Sequence, residues 1–160
     1  STILFFLGIL LAVAALQQAG ILTDVANWLN KQFHDVYIIN GIIGVLSSIV
    51  DNVPLVAACM NMYPVATPET LSTITDPAAL EYARLFVEDG LFWHLLTFCA
   101  GVGGSLLIIG SAAGVVAMGI EKIQFMWYVK RISWMVLLGY IAGIACIWLE
   151  TFIIPVGFCE

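Results

Sequence analysis

Charge is what this sequence has least of. Only 10% of its 160 residues are charged, and Lys and Arg together number five against eleven Asp and Glu. With so few cations, and none gathered in a basic stripe, nucleic acid is not an expected partner. The four cysteines, Cys59, Cys99, Cys146 and Cys159, form no CxxC pair, which argues against zinc and dithiol redox chemistry. Cys59, Cys99 and Cys146 sit inside apolar runs, where a thiol behaves as a small hydrophobe. His34 and His94 are far apart and belong to no HExxH pattern. No nucleophile–base pair or metal triad is visible, so a covalent enzyme is disfavoured and no cofactor is expected.

What fills the chain is apolar: 62% of residues are hydrophobic, and the mean hydropathy is +1.04. A soluble domain of this composition would have to face water with hydrophobic surface. Lipid is the solvent that suits it, so the expected class is an all-α membrane protein. The chain begins at Ser1, without Met, a charged n-region or a clear cleavage site. That pattern predicts a fragment of a longer protein rather than a signal peptide.

A transmembrane helix is expected over residues 2–22, with Gln17 and Gln18 near its end facing protein or the interface. Thr23 or Asp24 then serves as the N-cap of a short amphipathic surface helix, Val25 to Phe33, with Trp28 at headgroup level. Residues 36–63 hold two apolar arms around Asp51-Asn52-Val53-Pro54. The arms, Val36 to Val50 and Leu55 to Tyr63, reach about 22 Å and about 14 Å as helices, each too short to cross alone. They read as a re-entrant helical hairpin. A single helix from 36 to 63, broken by Pro54, is the competing reading, and both place the same polar residues at membrane depth.

Residues 64–89 form an acidic outside loop containing Glu69, Asp76, Glu81, Glu88 and Asp89 against Arg84, and a short helix from Ala78 to Val87 is expected there. Residues 90–119 are apolar but interrupted by Gly103-Gly104-Ser105 and Gly110-Ser111-Ala112-Ala113-Gly114. One helix of that length would measure about 45 Å, so a discontinuous helix with an unwound middle is expected. Glu121 to Arg131 reads as an interfacial segment, residues 132–149 as the last span, and Pro155 ends any helix beyond it. The loop with Lys122, Lys130 and Arg131 is the most basic, which puts it in the cytoplasm and the hairpin's opening outside.

The chemistry concentrates on Asp51. A carboxylate at membrane depth costs about 2.5–3.5 kcal/mol on insertion scales, and no Lys or Arg lies in a neighbouring apolar segment to offset it. A cation, a proton or a partner in missing sequence must satisfy it. The plainer role for Asp51 or Asn52 is the N-cap of the arm that starts near Pro54, and the two roles are compatible. Asn52 offers a carbonyl oxygen, and Ser47 and Ser48 lie about one turn earlier. The favoured role for the serines is packing, as small hydroxyl residues let membrane helices approach and bond their own backbone. Ser105 and Ser111 stand in the two glycine clusters, where unwound backbone frees carbonyl oxygens suited to a small hard cation such as sodium. Gly110 and Gly114 also fit a small-xxx-small packing motif. His94, about one turn into its helix beside Trp93, reads as interfacial. Remaining Met and aromatic residues read as lipid-facing or packing.

The stretch Leu46-Ser47-Ser48-Ile49-Val50-Asp51-Asn52-Val53-Pro54-Leu55-Val56-Ala57-Ala58 resembles the hairpin of NhaD-type sodium/proton antiporters, members of the ion transporter superfamily. Gly103 to Gly114 resembles their broken helix, and Leu4 to Leu10 one of their other helices. The resemblance implies a fold of two inverted repeats, each with a re-entrant hairpin and a discontinuous helix, of which this chain is most of the second. It implies that Asp51 and Asn52 sit at the hairpin tip, and Ser105 and Ser111 beside the unwound helix; with Ser47 and Ser48, placed by their spacing, these are the candidate ion-site residues, and Asp51 and Asn52 the candidate sodium ligands. It further implies that sodium and the proton are the transported species.

The expected function is exchange of sodium for protons, with both competing for Asp51, in a multi-pass protein of the bacterial inner membrane. The expected partners are the lipid bilayer, the missing N-terminal part of the transporter and, as an open option, a second copy. Two alternatives stand beside it: an anion carrier for arsenite or dicarboxylate, and a non-transporting scaffold subunit. An anion site would want basic residues that these segments lack, and would be repelled by Asp51.

Overall fold

The computed structural model describes positions 4, 7, 8, 11, 12, 14, 15, 18–33 and 35–153, without the side chains of positions 22 and 112. Much of the expected first span, together with Gln17, His34, Pro155 and Cys159, lies outside the described residues. Within them the chain is helical, and its only β pairing is an isolated bridge between Ala66 and Val87. All-helical structure suits a lipid environment, because a helix satisfies its backbone groups within the segment itself.

Helix α1, Ile21–Phe33, begins two residues before the Thr23 or Asp24 cap expected for it. The breakpoint is Gly20, at a φ of 76°, a left-handed conformation that costs glycine nothing and redirects the chain into the helix. Helix α2, Val36–Ser47, is capped by Asp35, whose side chain accepts the Tyr37 N–H at 2.8 Å. Helix α3, Asn52–Met62, follows after a non-helical link, Ser48 to Asp51, with Pro54 in its first turn where a missing N–H costs nothing. Two short capped helices, α4 (Pro68–Thr73) and α5 (Pro77–Arg84), lie in the acidic loop, each with Pro at its start. The second ends three residues before the expected Val87.

Helix α6, Leu91–Gly103, and helix α7, Ala112–Ile120, are separated by non-helical residues 104–111. Their lengths are about 20 Å and about 14 Å, so neither matches a hydrocarbon core of about 30 Å, but their sum does. Helix α2, at about 18 Å, is nearly as long as α6. Helix α8, Phe125–Arg131, leads into α9, Ser133–Ile153, whose 21 residues make it long and apolar enough to cross a membrane.

Two packings hold these elements. At one end, the start of α2, the end of α3 and the start of α6 share a core of Val36, Ile39, Cys59, Phe92, Leu95 and Leu96. Tyr63 and Phe92 lie 4.7 Å apart, Phe86 and Phe92 4.6 Å, and Phe92 and Trp93 5.0 Å between ring centres. Because the entry of α2 and the exit of α3 meet in one cluster, the chain reverses between them. At the other end, α2 lies along α6 in the most extensive helix pairing of the molecule. The crossing is made by Gly44 and Gly103: a Cβ on Gly103 would fall on the Gly44 carbonyl, and one on Gly44 would come within 2.6 Å of the Cys99 carbonyl oxygen.

Candidate functional site

The site is built where the link after α2 meets the break after α6. Since α2 and α6 start from the same aromatic core and have similar lengths, their far ends arrive together. Gly110, inside the break, is pressed on that link. A Cβ there would contact the Ser47 carbonyl oxygen and lie 2.6 Å from that of Ser48. The corresponding point on Gly104 lies 3.2 Å from the Gly110 carbonyl oxygen and 3.7 Å from that of Ser47. Three carbonyl oxygens, from Ser47, Ser48 and Gly110, are thereby gathered around glycine backbone. Among the described residues none of the three accepts a hydrogen bond. Glycine is what permits this: a Cβ at 110 would overlap the backbone of Ser47 and Ser48, while one at 104 would be a tight contact with the Gly110 carbonyl.

The break is held open by hydroxyl groups from α8 and α9. Tyr128 donates to the Ser105 carbonyl at 2.8 Å, and Ser133 donates to that of Leu106. Ile108, 7% exposed, takes a φ of 57°. A β-branched residue in the left-handed region is strained by about 1–3 kcal/mol, and such strain persists where the surrounding structure over-determines it. Ser111 then caps α7, accepting the Gly114 N–H at 3.0 Å.

The six residues singled out by sequence divide three ways. Ser47 and Ser48 are buried at the contact, their hydroxyls donating to the Ala100 carbonyl at 2.8 Å and the Val45 carbonyl at 2.6 Å. Their hydroxyl hydrogens are thus committed to backbone, the packing role, and their carbonyls face the break. Ser111 is a helix cap, and Ser105 is exposed. Asp51 and Asn52 are half-buried at the start of α3. Asp51 stands at the N-cap position, but its side chain makes no capping hydrogen bond. Capping therefore does not occupy its carboxylate.

Sequence reasoning missed four residues. Tyr140, 3% exposed, donates to the Gly41 carbonyl at 2.9 Å and ties α9 to the middle of α2. The bond adds to the packing role expected of aromatic residues here, and Tyr128 and Ser133 make bonds of the same kind. The signal was available, since Ser133 and Tyr140 are seven residues apart and share one helix face. The fourth is Asn40, fully buried, which donates to the Val36 carbonyl at 2.9 Å and leaves its Oδ1 unpartnered among the described residues. It is the one amide inside the first apolar arm, Val36 to Val50. His94 is exposed and 3.0 Å from Asp89, which fits its interfacial reading.

The chemistry of this arrangement is oxygen ligation. Backbone carbonyls, a carboxylate and an amide are hard donors for a small cation. Among the described residues no cluster of three His, Cys, Asp or Glu offers a transition-metal site.

Comparison with known proteins bears on the family of the chain. The model of the citrate transporter family matches residues 1–83. The chain belongs to that family. Its relatives include sodium/proton antiporter 1 of Arabidopsis thaliana, 49% identical over 89% of this chain and 22% of the relative. The Na(+)/H(+) antiporter NhaD of Vibrio parahaemolyticus is 38% identical over 87% of this chain and 28% of its own. NhaD of Vibrio cholerae is 34% identical over 89% and 25%. The chain thus spans about a quarter of the length of the curated relatives it matches. No solved structure matches it. The family is one of membrane transporters, and these relatives are named for sodium/proton antiport, not for an enzymatic reaction.

Proposed function

We propose that this chain is the cation-binding part of a sodium/proton antiporter. Helices α2 and α3 act as a re-entrant hairpin, and α6 and α7 as one interrupted span. The remainder of the transporter supplies an inverted repeat that completes the site. The observation that supports this most is the meeting of the Ser47, Ser48 and Gly110 carbonyls beside a turn whose next residues are Asp51 and Asn52. If α6 enters from one face, its end lies about 20 Å into a core of about 30 Å, so the contact falls well inside the bilayer.

Coupling follows from one carboxylate with two ligands. Asp51 takes sodium, with Asn52 and backbone carbonyls supplying further oxygens, or it takes a proton. It does not hold both. Release of one on each side, with the site opened alternately, exchanges them. The names of the NhaD and plant relatives favour this ion pair, and the NhaD relatives favour a bacterial inner membrane.

A second reading, an anion carrier, is favoured by the family's description as a citrate transporter. Against it, α2, α3, α6, α7 and the break contain no Lys or Arg. Vesicles of the full-length transporter separate the two. Labelled sodium moving against a proton gradient supports exchange, and labelled citrate or succinate accumulating instead supports the anion reading. Asp51→Asn should reduce sodium-dependent proton movement to background while the protein remains in the membrane. Retained exchange in that variant removes Asp51 from the mechanism.

A further inference from the structure

A second site lies at the opposite end of the molecule from the Ser47–Gly110 contact. A cavity of ≈ 360 Å³ opens at the start of α2, walled by Asp35, Tyr37, Tyr82, Leu85, Leu91 and Trp148. A second, of ≈ 330 Å³, runs along α9 between Tyr37, Ile141, Ile144, Ala145 and Trp148. Tyr37 and Trp148 belong to both, so the two cavities adjoin. The Tyr37 hydroxyl meets that of Thr151 at 2.9 Å, which fixes the shared wall between α2 and α9.

The two halves differ in chemistry. The first contains a carboxylate with aromatic rings around it. One Asp35 oxygen caps α2, and the side chain makes no ion pair among the described residues. Asp35 also bears on Tyr82, whose hydroxyl is pushed up from its ordinary range first by burial and then by this neighbouring charge. The Tyr82 hydroxyl is itself committed to Asn30 Oδ1, at 3.2 Å. The second half is lined by aliphatic and aromatic surface alone. Neither half contains Lys or Arg, so neither has a counter-charge for an anionic headgroup.

A carboxylate beside Tyr and Trp faces recognises an ammonium group, through charge and through the ring quadrupoles. An apolar groove continuing from it takes hydrocarbon. We propose that this paired cavity binds one phospholipid with an ammonium headgroup, of the ethanolamine or choline kind, with the head at Asp35 and an acyl chain along α9. The placement agrees with the membrane geometry. Trp148 is near the end of α9 remote from Lys130 and Arg131, at the level where Trp settles among headgroups. The inference does not depend on which ion the transporter carries.

The test uses the full-length transporter in detergent and native mass spectrometry. Phosphatidylethanolamine and phosphatidylglycerol with identical acyl chains are offered in equal amounts. The ethanolamine lipid should be retained about threefold to tenfold more. Asp35→Asn preserves the helix cap, because Asn caps as well as Asp, and should bring the two lipids to parity. Ala145→Leu fills the groove and should lower retention of both. Equal retention by the unaltered protein overturns the proposal, as does a preference unchanged in Asp35→Asn. Free phosphoethanolamine competing as well as the lipid would remove the acyl groove. A photo-cross-linker at Ala145 that captures protein in place of lipid would show that another segment covers it.

Discussion

The two ends of the α2–α6 pair are built from opposite materials. At the entry end, Tyr63, Phe86, Phe92 and Trp93 pack ring against ring with Leu95, Leu96 and Ile39. At the far end, Gly44, Gly103 and Gly110 let backbone touch backbone, and the polar groups there include carbonyls, hydroxyls, the Asp51 carboxylate and the Asn52 amide. Large side chains fix where the helices start and glycines fix how closely they end. The first end supplies most of the burial, and the second leaves oxygen atoms available. A site for a small cation needs such a division, because side chains bulky enough to stabilise the contact would also fill it.

Substitutions at the two ends should therefore differ in kind. Phe92→Ala empties the centre of the aromatic core and should cost about 3–5 kcal/mol, read as a lower melting temperature of the full-length protein. Whatever remains folded should bind sodium with unchanged affinity. Gly103→Val should cost about 3 kcal/mol, at the upper end of overpacking effects, because the obstruction is Gly44 backbone. Unlike Phe92→Ala, it should lower sodium affinity as well, since it forces the Ser47 and Gly110 carbonyls apart. Ligand titration of the two variants distinguishes them.

Smaller changes sharpen the contrast. Tyr140→Phe removes the hydrogen bond to Gly41 and should cost about 1 kcal/mol with little effect on packing. Asn40→Leu should run the other way, raising stability by up to about 1 kcal/mol, because it removes a buried oxygen that has no partner among the described residues. A loss of exchange in Asn40→Leu despite that gain would give Asn40 a part in transport. His94→Gln, at an exposed pair, should leave the melting temperature unchanged within error.

Where the helices stop was readable from sequence, because Pro and Gly act locally. Asp51-Asn52-Val53-Pro54 marked the start of α3, and the clusters at 103–105 and 110–114 marked both edges of the break. Asp51 stood out because a carboxylate is costly in such surroundings. What was not readable depends on contacts between distant residues. No local signal says that Gly103 opposes Gly44, and the spacing that puts Ser133 and Tyr140 on one helix face does not say which distant carbonyls they, or Tyr128, will meet. The freed carbonyls anticipated at Ser105 are a case in point: the break does unwind, but the Ser105 and Leu106 carbonyls are taken by hydroxyls. The oxygens left over come from Gly110 and from the link after α2. The start of α1 was misplaced because Thr23 and Asp24 resemble a cap, whereas Gly20 had already turned the chain.

The central claim is that a cation completes the ligand set around Asp51, and thermal melting of the full-length transporter in sodium against choline tests it most directly. A specific ligand at a hundred times its dissociation constant stabilises by about 2.7 kcal/mol. The unaltered protein should melt at a higher temperature in sodium, and Asp51→Asn should melt alike in both salts. Equal melting of the unaltered protein in sodium and choline, or a sodium gain that survives in Asp51→Asn, would contradict the account.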